Sequence, residues 1–511
     1  MFVIYGPPGT GKTTTLLNMV EKAIADGTAP SSIAFLAFTR KAAREARERA
    51  ARQFKLDLEK DLNFFRTLHS FCYHLSDIDK NNLMGSEHLV EFGKSVGFNL
   101  VSKGVDDHED DIGSNSRDNP IMQLIQLARL KKEDVEITYR ESAVEEPLTT
   151  IKYINEAYLS FKSENNLYDY TDILEWFAEH GSRVCPKFSM VFLDEAQDLS
   201  PLQWEVAHVL NDNAGRMYAA GDDDQAIYRW AGANVEHFLG VESGSEVLSQ
   251  SYRIPVKVHE VATRIVNRIQ TRRPKKYRPK EMVGRVERVF MPDMKRFNSD
   301  EWLVMAQCNY MLNDICEQLK IHGYFFENRG SKSISEKLAS ALIAWEALCG
   351  GGEIDAISAR NLYYYMKSGS RIKRGFKALS NIDVKSTYNL TTLQTDFGLL
   401  ATGDMPWQEA MNNVPEHLNA YVSALLRRGE NLRHEPRIKV STIHGSKGGE
   451  ANNVVLYTDI SHASDQAVSS NTLEGRRMMD DLHRLFYVGV TRAKESLYIV
   501  SPMDGLRSYQ I

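Results

Sequence analysis

The sequence predicts an α/β protein built on parallel sheets, in two domains that are each interrupted once by a mainly helical insertion. Three observations predict it. Short apolar segments alternate with helix-like stretches through the first 75 residues and again after residue 165, the pattern of strand–helix–strand units in a doubly wound sheet. A second strand-rich series begins near Arg285, stops near Gly330 and resumes at Arg437. The length of 511 residues is enough for about three or four domains, each able to bury a core of its own.

The elements follow in order. Phe2–Tyr5 (FVIY) is the first strand candidate and leads through a glycine-rich turn into the helix-like TTLLNMVEKAI; Ile33–Phe38, Met190–Leu193 and Met217–Ala220 are the next strands. Between Ser76 and Asn165 the pattern turns polar, acidic and helix-like. The first domain is therefore expected at 1–75 and 166–255 around an insertion at 76–165. RVERVF and EWLVMAQ, then RIKVSTIH, VVLYTD and SLYIVS, place the second at 256–330 and 437–511 around a helix-like interval at 331–436.

The chain carries 62 Lys and Arg against 68 Asp and Glu, a formal net charge of −6, with 42% hydrophobic and 25% charged residues. These proportions exclude disordered, collagen-like and disulfide-scaffold classes. No run approaches the ~18 to 20 apolar residues of a membrane span, and MFVIYGPPGTGK has no basic segment followed by an apolar one and a cleavage site. A soluble protein with no membrane partner is expected. Five scattered cysteines without a CxxC pair fit a reducing cytoplasm and suggest no structural zinc or iron–sulfur cluster. Nucleic acid stays open, because binding depends on local basic patches. Arg40–Lys55 and Arg264–Lys280 are two such patches, although a solvated helix face reads them equally well.

The first motif names a ligand. Gly6, Pro7, Pro8, Gly9, Thr10, Gly11, Lys12 and Thr13 spell GPPGTGKT, which satisfies GxxxxGK[ST] after a strand and before a helix. Glycines let the backbone curl so that its amides and the helix N-terminus face phosphate oxygens. Lys12 would reach the β and γ phosphates and the Thr13 hydroxyl would ligate Mg²⁺, with Thr14 closing the phosphate set. The second motif is MVFLDEAQD, residues 190–198, an apolar strand ending in two acids. Asp194 is placed to hold Mg²⁺ and Glu195 to take a proton from the attacking water. Both motifs fall where open parallel sheets place their sites, at strand carboxyl ends.

Nine blocks in order resemble the UvrD/Rep/PcrA-like superfamily 1 DNA helicases, in a compact version of the kind found in phages and mobile elements. They are GPPGTGKT, AFTRKAAREARERA (37–50), RTLHSFC (66–72), LYDYTDIL (167–174), LDEAQD (193–198), GDDDQAIYRWAGAN (221–234), SQSYRIP (249–255), VSTIHGSKGGEANNVVL (440–456) and LFYVGVTRAKESLYIV (485–500). The resemblance implies two RecA-like P-loop NTPase domains, ATP and Mg²⁺ as cofactors, single-stranded DNA and single/double-strand junctions as partners, a monomer, and a bacterial or phage-infected cytosol. It implies that Gln225 senses the γ phosphate or orients water, that Arg253 and Arg492 are arginine fingers, that Tyr252 stacks on adenine and that Glu450 contacts the nucleotide. DNA contacts are implied for Phe38, Thr39, Arg40, Lys41, Thr67, His69, Tyr228, Trp230, Thr442 and His444, since stacked aromatics grip a strand without reading its sequence.

The expected activity is an ATP-dependent 3′–5′ single-stranded DNA translocase and helicase of replication, recombination or repair. The alternative is a DNA-stimulated ATPase that remodels protein–DNA complexes without processive unwinding, because the interval 331–436 is shorter than the accessory domain of the large family members. Two further departures stand out. The family carries a Gln-containing, adenine-reading segment ahead of the phosphate loop, and here the sequence begins one strand before that loop, which leaves discrimination for ATP open. Ala231 stands where relatives often have another Arg.

Overall fold

Six strands form the first sheet: β1 (Phe2–Tyr5), β2 (Ile33–Ala37), β3 (Phe65–Thr67), β4 (Phe188–Leu193), β5 (Ala214–Gly221) and β6 (Ser245–Val247). They stand in the order β3-β2-β4-β5-β1-β6 with every neighbouring pair parallel, so all their carboxyl ends share one edge. The computed structural model describes residues 1–37, 40–58, 60–98, 119–142, 144–241, 244–470, 472–501 and 507–511.

The apolar runs were legible as strands because both faces of this sheet are covered. Alternate residues of one strand enter different cores: Val3 and Tyr5, Ala34 and Leu36, Val191 and Leu193 face one, while Ile4, Phe35 and Phe192 face the other. The helices Lys12–Ala25 and Arg40–Phe54 cover the second face with Leu16, Leu17, Val20 and Ala23, and Ala43, Ala46 and Ala50. Leu68–Leu75, Tyr170–Val184 and Pro201–Asp212 cover the first.

The first insertion is a helical body of Ser86–Val96, Pro120–Lys131, Val135–Arg140 and Leu148–Glu164 around its own core of Phe92, Ile121, Leu124, Ile125, Ile151, Ile154 and Tyr158. Charge ties it to the helix Tyr170–Val184. The Arg129 guanidinium lies 2.7 Å from Asp169, 2.5 Å from Asp172 and 2.6 Å from Glu175, and Lys162 lies 2.8 Å from Asp169 and 2.6 Å from Asp172. Burial alone would raise the Asp169 carboxyl, but Arg129 and Lys162 overcome it and hold that group well below the usual range.

The chain divides into two units, 1–282 with 472–487, and 283–471 with 488–511. The boundary expected at 255/256 thus falls at 282/283, and residues 472–487, expected in the second domain, join the first unit. Hydrogen bonds explain both shifts. Ser251 and Val256 amides donate to the Arg278 and Met282 carbonyls, and the Arg278 and Lys280 amides donate back to Ser249 and Ile254, which lays 278–282 along the first unit. In the helix Leu473–Val490, Asp480 accepts from the Gln270 and Thr271 amides at 2.9 Å each.

The second sheet contains β7 (Arg285–Val289), β8 (Trp302–Ala306), β9 (Phe326–Asn328), β10 (Ser331–Lys332), β13 (Ile438–Thr442), β14 (Ala451–Tyr457) and β15 (Ala493–Val500), in the order β10-β9-β13-β8-β14-β15-β7. Only β10 runs antiparallel to its neighbour. The interval 331–436 is mainly helical as expected: Glu336–Cys349, Ala356–Tyr364, Leu390–Thr395, Trp407–Ala410 and Glu416–Arg428, with a small pair β11 (Ile354–Asp355) and β12 (Thr387–Tyr388). It is not a body apart. Among the described residues one continuous cluster runs from Trp302, Val304, Ile438, Val440 and Val455 of the sheet into Leu338, Trp345, Leu362 and Tyr421 of the helices. No helix among the described residues is long and apolar enough to cross a membrane.

Candidate functional site

β1 ends at Tyr5, and the chain curls at the carboxyl edge of the first sheet. The Gly6 amide donates to the Gly221 carbonyl at 2.9 Å, pinning the start of the loop to the end of β5. Gly9 and Gly11 adopt φ of +71° and +80°, the left-handed region that glycine enters without strain. At Gly9 a Cβ would also lie 2.4 Å from the Arg253 Cβ. Only glycine therefore lets the segment 251–253 close on the loop, where Ser251 Oγ donates to the Pro8 carbonyl and the Tyr252 amide to the Gly9 carbonyl, each at 2.8 Å. Thr10 Oγ1 donates to Pro7 at 2.8 Å. No side chain caps the helix Lys12–Ala25, which leaves its amides to an anion; Thr14 lies exposed in its first turn.

Four chemical groups meet at the foot of this helix. Lys12 Nζ donates to the Gly6 carbonyl at 3.0 Å and lies 3.9 Å from Glu195 Oε1. Thr13 Oγ1 donates to Asp194 Oδ2 at 2.5 Å. Asp194 ends β4, and Glu195 beside it has φ of +54°, a left-handed conformation costing a non-glycine residue about 1 to 2 kcal/mol. The hydroxyl and the carboxylate form a hard-oxygen donor pair that fits Mg²⁺. Burial, and then the Glu195 charge, push the Asp194 carboxyl up to about 6, against the pull of Thr13 and Lys12.

A carboxyl raised from its ordinary range to about 6 disfavours the folded state above pH 6, and that penalty fades as pH falls from 6 toward 4. Asp194→Asn is therefore expected to raise the midpoint of thermal unfolding at pH 7.5, and the gain over the wild type should shrink by pH 5. Differential scanning fluorimetry at the two pH values checks the sign.

Behind the acids sits a residue that the sequence pattern did not single out. Gln197, 0% exposed, donates from Nε2 to Glu195 Oε2 at 2.6 Å and accepts the Asp222 amide on Oε1 at 2.9 Å. Asp222 Oδ2 in turn accepts from Gln225 Nε2 at 2.7 Å. Gln225 is thereby brought into the same site as Lys12, Thr13, Asp194 and Glu195, and Tyr252 and Arg253 join it through Gly9. A buried amide two residues from a candidate base, between two acids, was the available signal.

Asp222, Asp223 and Asp224 cluster closely enough to hold a metal ion, but a lysine occupies the middle. Lys275, with a side chain 1% exposed, lies 3.2 Å from Asp222 and 2.9 Å from Asp224 and pairs with Asp223. Arg272 grips Asp224 with two bonds of 2.7 and 2.9 Å. Part of the second basic patch is thus internal rather than a solvated face. Burial still pushes the Asp223 carboxyl up to about 6, against Lys275.

The residues implied to meet DNA are variously placed. Phe38 and Thr39 lie outside the described residues; Arg40 and Lys41 open the helix Arg40–Phe54, their side chains outside the description. Thr67 caps the helix Leu68–Leu75 by accepting from the Ser70 amide. His69, half-buried beside Asp194 and Gln203 in a small cleft, is pushed by burial down to about 4 and is neutral at pH 7. Trp230 is 60% exposed, with Tyr228 at 6.1 Å between ring centroids, so it is not a core residue. Between them Arg229 pairs with Glu474 at 2.8 Å and with Asp481. Tyr252 is 74% exposed and Arg253 half-buried.

Four further candidates belong to the second unit. Arg492 is 2% exposed and donates to the Val488 and Gly449 carbonyls at 3.0 and 3.3 Å. Glu450 is exposed, 3.9 Å from Lys494. Thr442, the last residue of β13, and His444 just beyond it are half-buried, and Thr442 Oγ1 accepts from the Gly445 amide.

The profile of the UvrD/REP helicase N-terminal domain matches residues 1–245, and that of the UvrD-like helicase C-terminal domain matches residues 370–502, together well over half of the chain. The chain belongs to the UvrD-like DNA helicase family. Among its relatives, the Probable DNA helicase II homolog of Mycoplasma genitalium is 22% identical over 98% of this chain and 83% of that protein. The Putative ATP-dependent DNA helicase YjcD of Bacillus subtilis is 23% identical over 97% and 76%. The ATP-dependent DNA helicase PcrA of Leuconostoc citreum is 25% identical over 54% of this chain but only 38% of its own length. The N-terminal UvrD/REP match takes in the phosphate loop, Asp194, Glu195, Gln197 and the loop from Asp222 to Trp230.

Proposed function

We propose that this family member is an ATP-dependent 3′–5′ single-stranded DNA translocase and helicase. One observation supports it above the rest: the buried turn Asp222–Gln225, joined to Glu195 through Gln197, runs within five residues into the exposed Trp230. Hydrolytic chemistry and a stacking surface thus share one stretch of chain. Lys12, Arg253 and the loop amides hold the triphosphate, Glu195 takes the proton of the attacking water, Gln225 orients that water, and Tyr252 offers a face to the base. Thr13 and Asp194 would hold Mg²⁺, which would supply charge neutralisation at the phosphates. The same reading assigns Arg492 and Glu450 to the nucleotide. Tyr228 and Trp230, with Phe38, Thr39, Arg40, Lys41, Thr67, His69, Thr442 and His444, take the strand.

ATP hydrolysis measured with and without single-stranded DNA, at one stated salt concentration, tests this. DNA is expected to stimulate turnover, Lys12→Ala to abolish it, and Trp230→Ala to weaken strand binding by about 1 to 3 kcal/mol. Absence of stimulation would remove the reading. Equal unwinding of 5′-tailed and 3′-tailed duplexes would remove its polarity. A second reading, protein displacement from DNA without processive unwinding, is favoured by the insertion 331–436 having no core separate from its sheet. Displacement of a bound protein without strand separation would select it.

A further inference from the structure

We infer that Gln197 is the positioning residue through which DNA on the Tyr228–Trp230 loop sets the aim of Glu195. The inference rests on the proposed function and adds the coupling to it.

A carboxamide is a neutral side chain that donates at one end and accepts at the other. Gln197 uses both ends at once, with Nε2 on the Glu195 carboxylate at 2.6 Å and Oε1 on the Asp222 backbone amide at 2.9 Å. Nε2 also donates to Asp198 Oδ2 at 3.0 Å. The acceptor end is wedged in place: a Cβ on Gly221 would lie 2.6 Å from Gln197 Oε1 and 2.7 Å from the Phe238 ring. The chain at 221–222 thus approaches the carboxamide closely, with no space for a side chain between them.

Both ends of the link lead to function. Asp222 begins the turn that holds Gln225 and continues to Tyr228 and Trp230. Glu195 stands on left-handed backbone, so contacts of its carboxylate help to fix its direction. A charge-assisted bond is the stronger kind. The route contains no gap: loop backbone, Asp222 amide, Gln197, Glu195.

Gln197→Met keeps the length and loses both bonds; Gln197→Glu keeps the acceptor facing Asp222 and loses the donor to Glu195. With the full chain, DNA-stimulated kcat is expected to fall about 10- to 100-fold in both. KM for ATP and the Kd for a fluorescent single-stranded oligonucleotide should stay near wild type. A residue that only fills the core would instead lower the unfolding midpoint and spread its loss over KM and Kd. The decisive arm is a double-mutant cycle with Trp230→Ala at saturating DNA. That change should lower the stimulation factor in the wild-type background and have no further effect beside Gln197→Met, because the link is already cut. A stimulated wild type whose Gln197 variants keep its kcat, or whose losses add with Trp230→Ala, overturns the inference alone. A wild type that DNA does not stimulate overturns the functional reading and the coupling with it.

Discussion

Glu195→Gln is expected to bind ATP and single-stranded DNA as the wild type does while hydrolysis falls by about 10² to 10⁴-fold. The substitution preserves shape and removes only the ability to take a proton. Its carboxylate is held from two sides, by Lys12 Nζ at 3.9 Å and by the Gln197 amide at 2.6 Å. The glutamine loses the ion pair with Lys12, but its amide oxygen can still accept from Gln197 Nε2, so the residue should keep its place. Loss in kcat without loss in nucleotide affinity is what removing a transition-state interaction produces. Equilibrium binding of a fluorescent ATP analogue beside steady-state turnover separates the two quantities. Turnover near wild type would take the role of base away from Glu195.

Lys275→Met is expected to destabilise the first unit by about 3 to 5 kcal/mol, because it leaves buried carboxylates without their shared cation. Asp222, Asp223 and Asp224 are all buried; Arg272 would still pair with Asp224, while Asp222 and Asp223 would keep the neutral donors of the Gln225 side chain and the Arg273 backbone amide. Denaturant unfolding followed by intrinsic fluorescence measures the loss. The pH dependence gives an independent sign. Asp223 already titrates near 6 with Lys275 present, above its ordinary range, so its ionisation opposes folding above pH 6. Without the lysine that opposition grows, and the deficit of the variant should be largest near pH 8 and shrink toward pH 5 as the acids take up protons. A deficit independent of pH would mean that lost packing, not lost charge, is responsible.

The parts of the fold legible in the sequence were those fixed by local pattern. β1, β2, β4 and β5 read as strands because doubly covered parallel strands are continuous apolar runs, and the GPPGTGKT turn was legible because its glycines sit at fixed spacing. What stayed hidden depends on partners distant in the chain. β3 and β6, three residues each, carry too little pattern to register. Lys275 reads as one more surface cation until Asp222–Asp224 are folded around it. Arg484 likewise joins 472–487 to the first unit by donating to the Asp223 and Thr271 carbonyls, pairings that no periodicity announces. In the site, Lys12, Thr13, Asp194 and Glu195 were named by motif, whereas nothing in the sequence singled out Gln197, whose partners are set by the fold.

The two insertions differ in how detachable they are. The first closes on its own apolar centre and meets its host through the ionic clasp of Arg129 and Lys162 and through Ile78, Leu83 and Leu130, which pack on the host core. The second shares its interior with β8, β13 and β14, so excising 331–436 would strip the cover from Val304, Val440 and Val455. Removing the first would therefore uncover less of its host's core than removing the second, whose helices form one interior with their sheet.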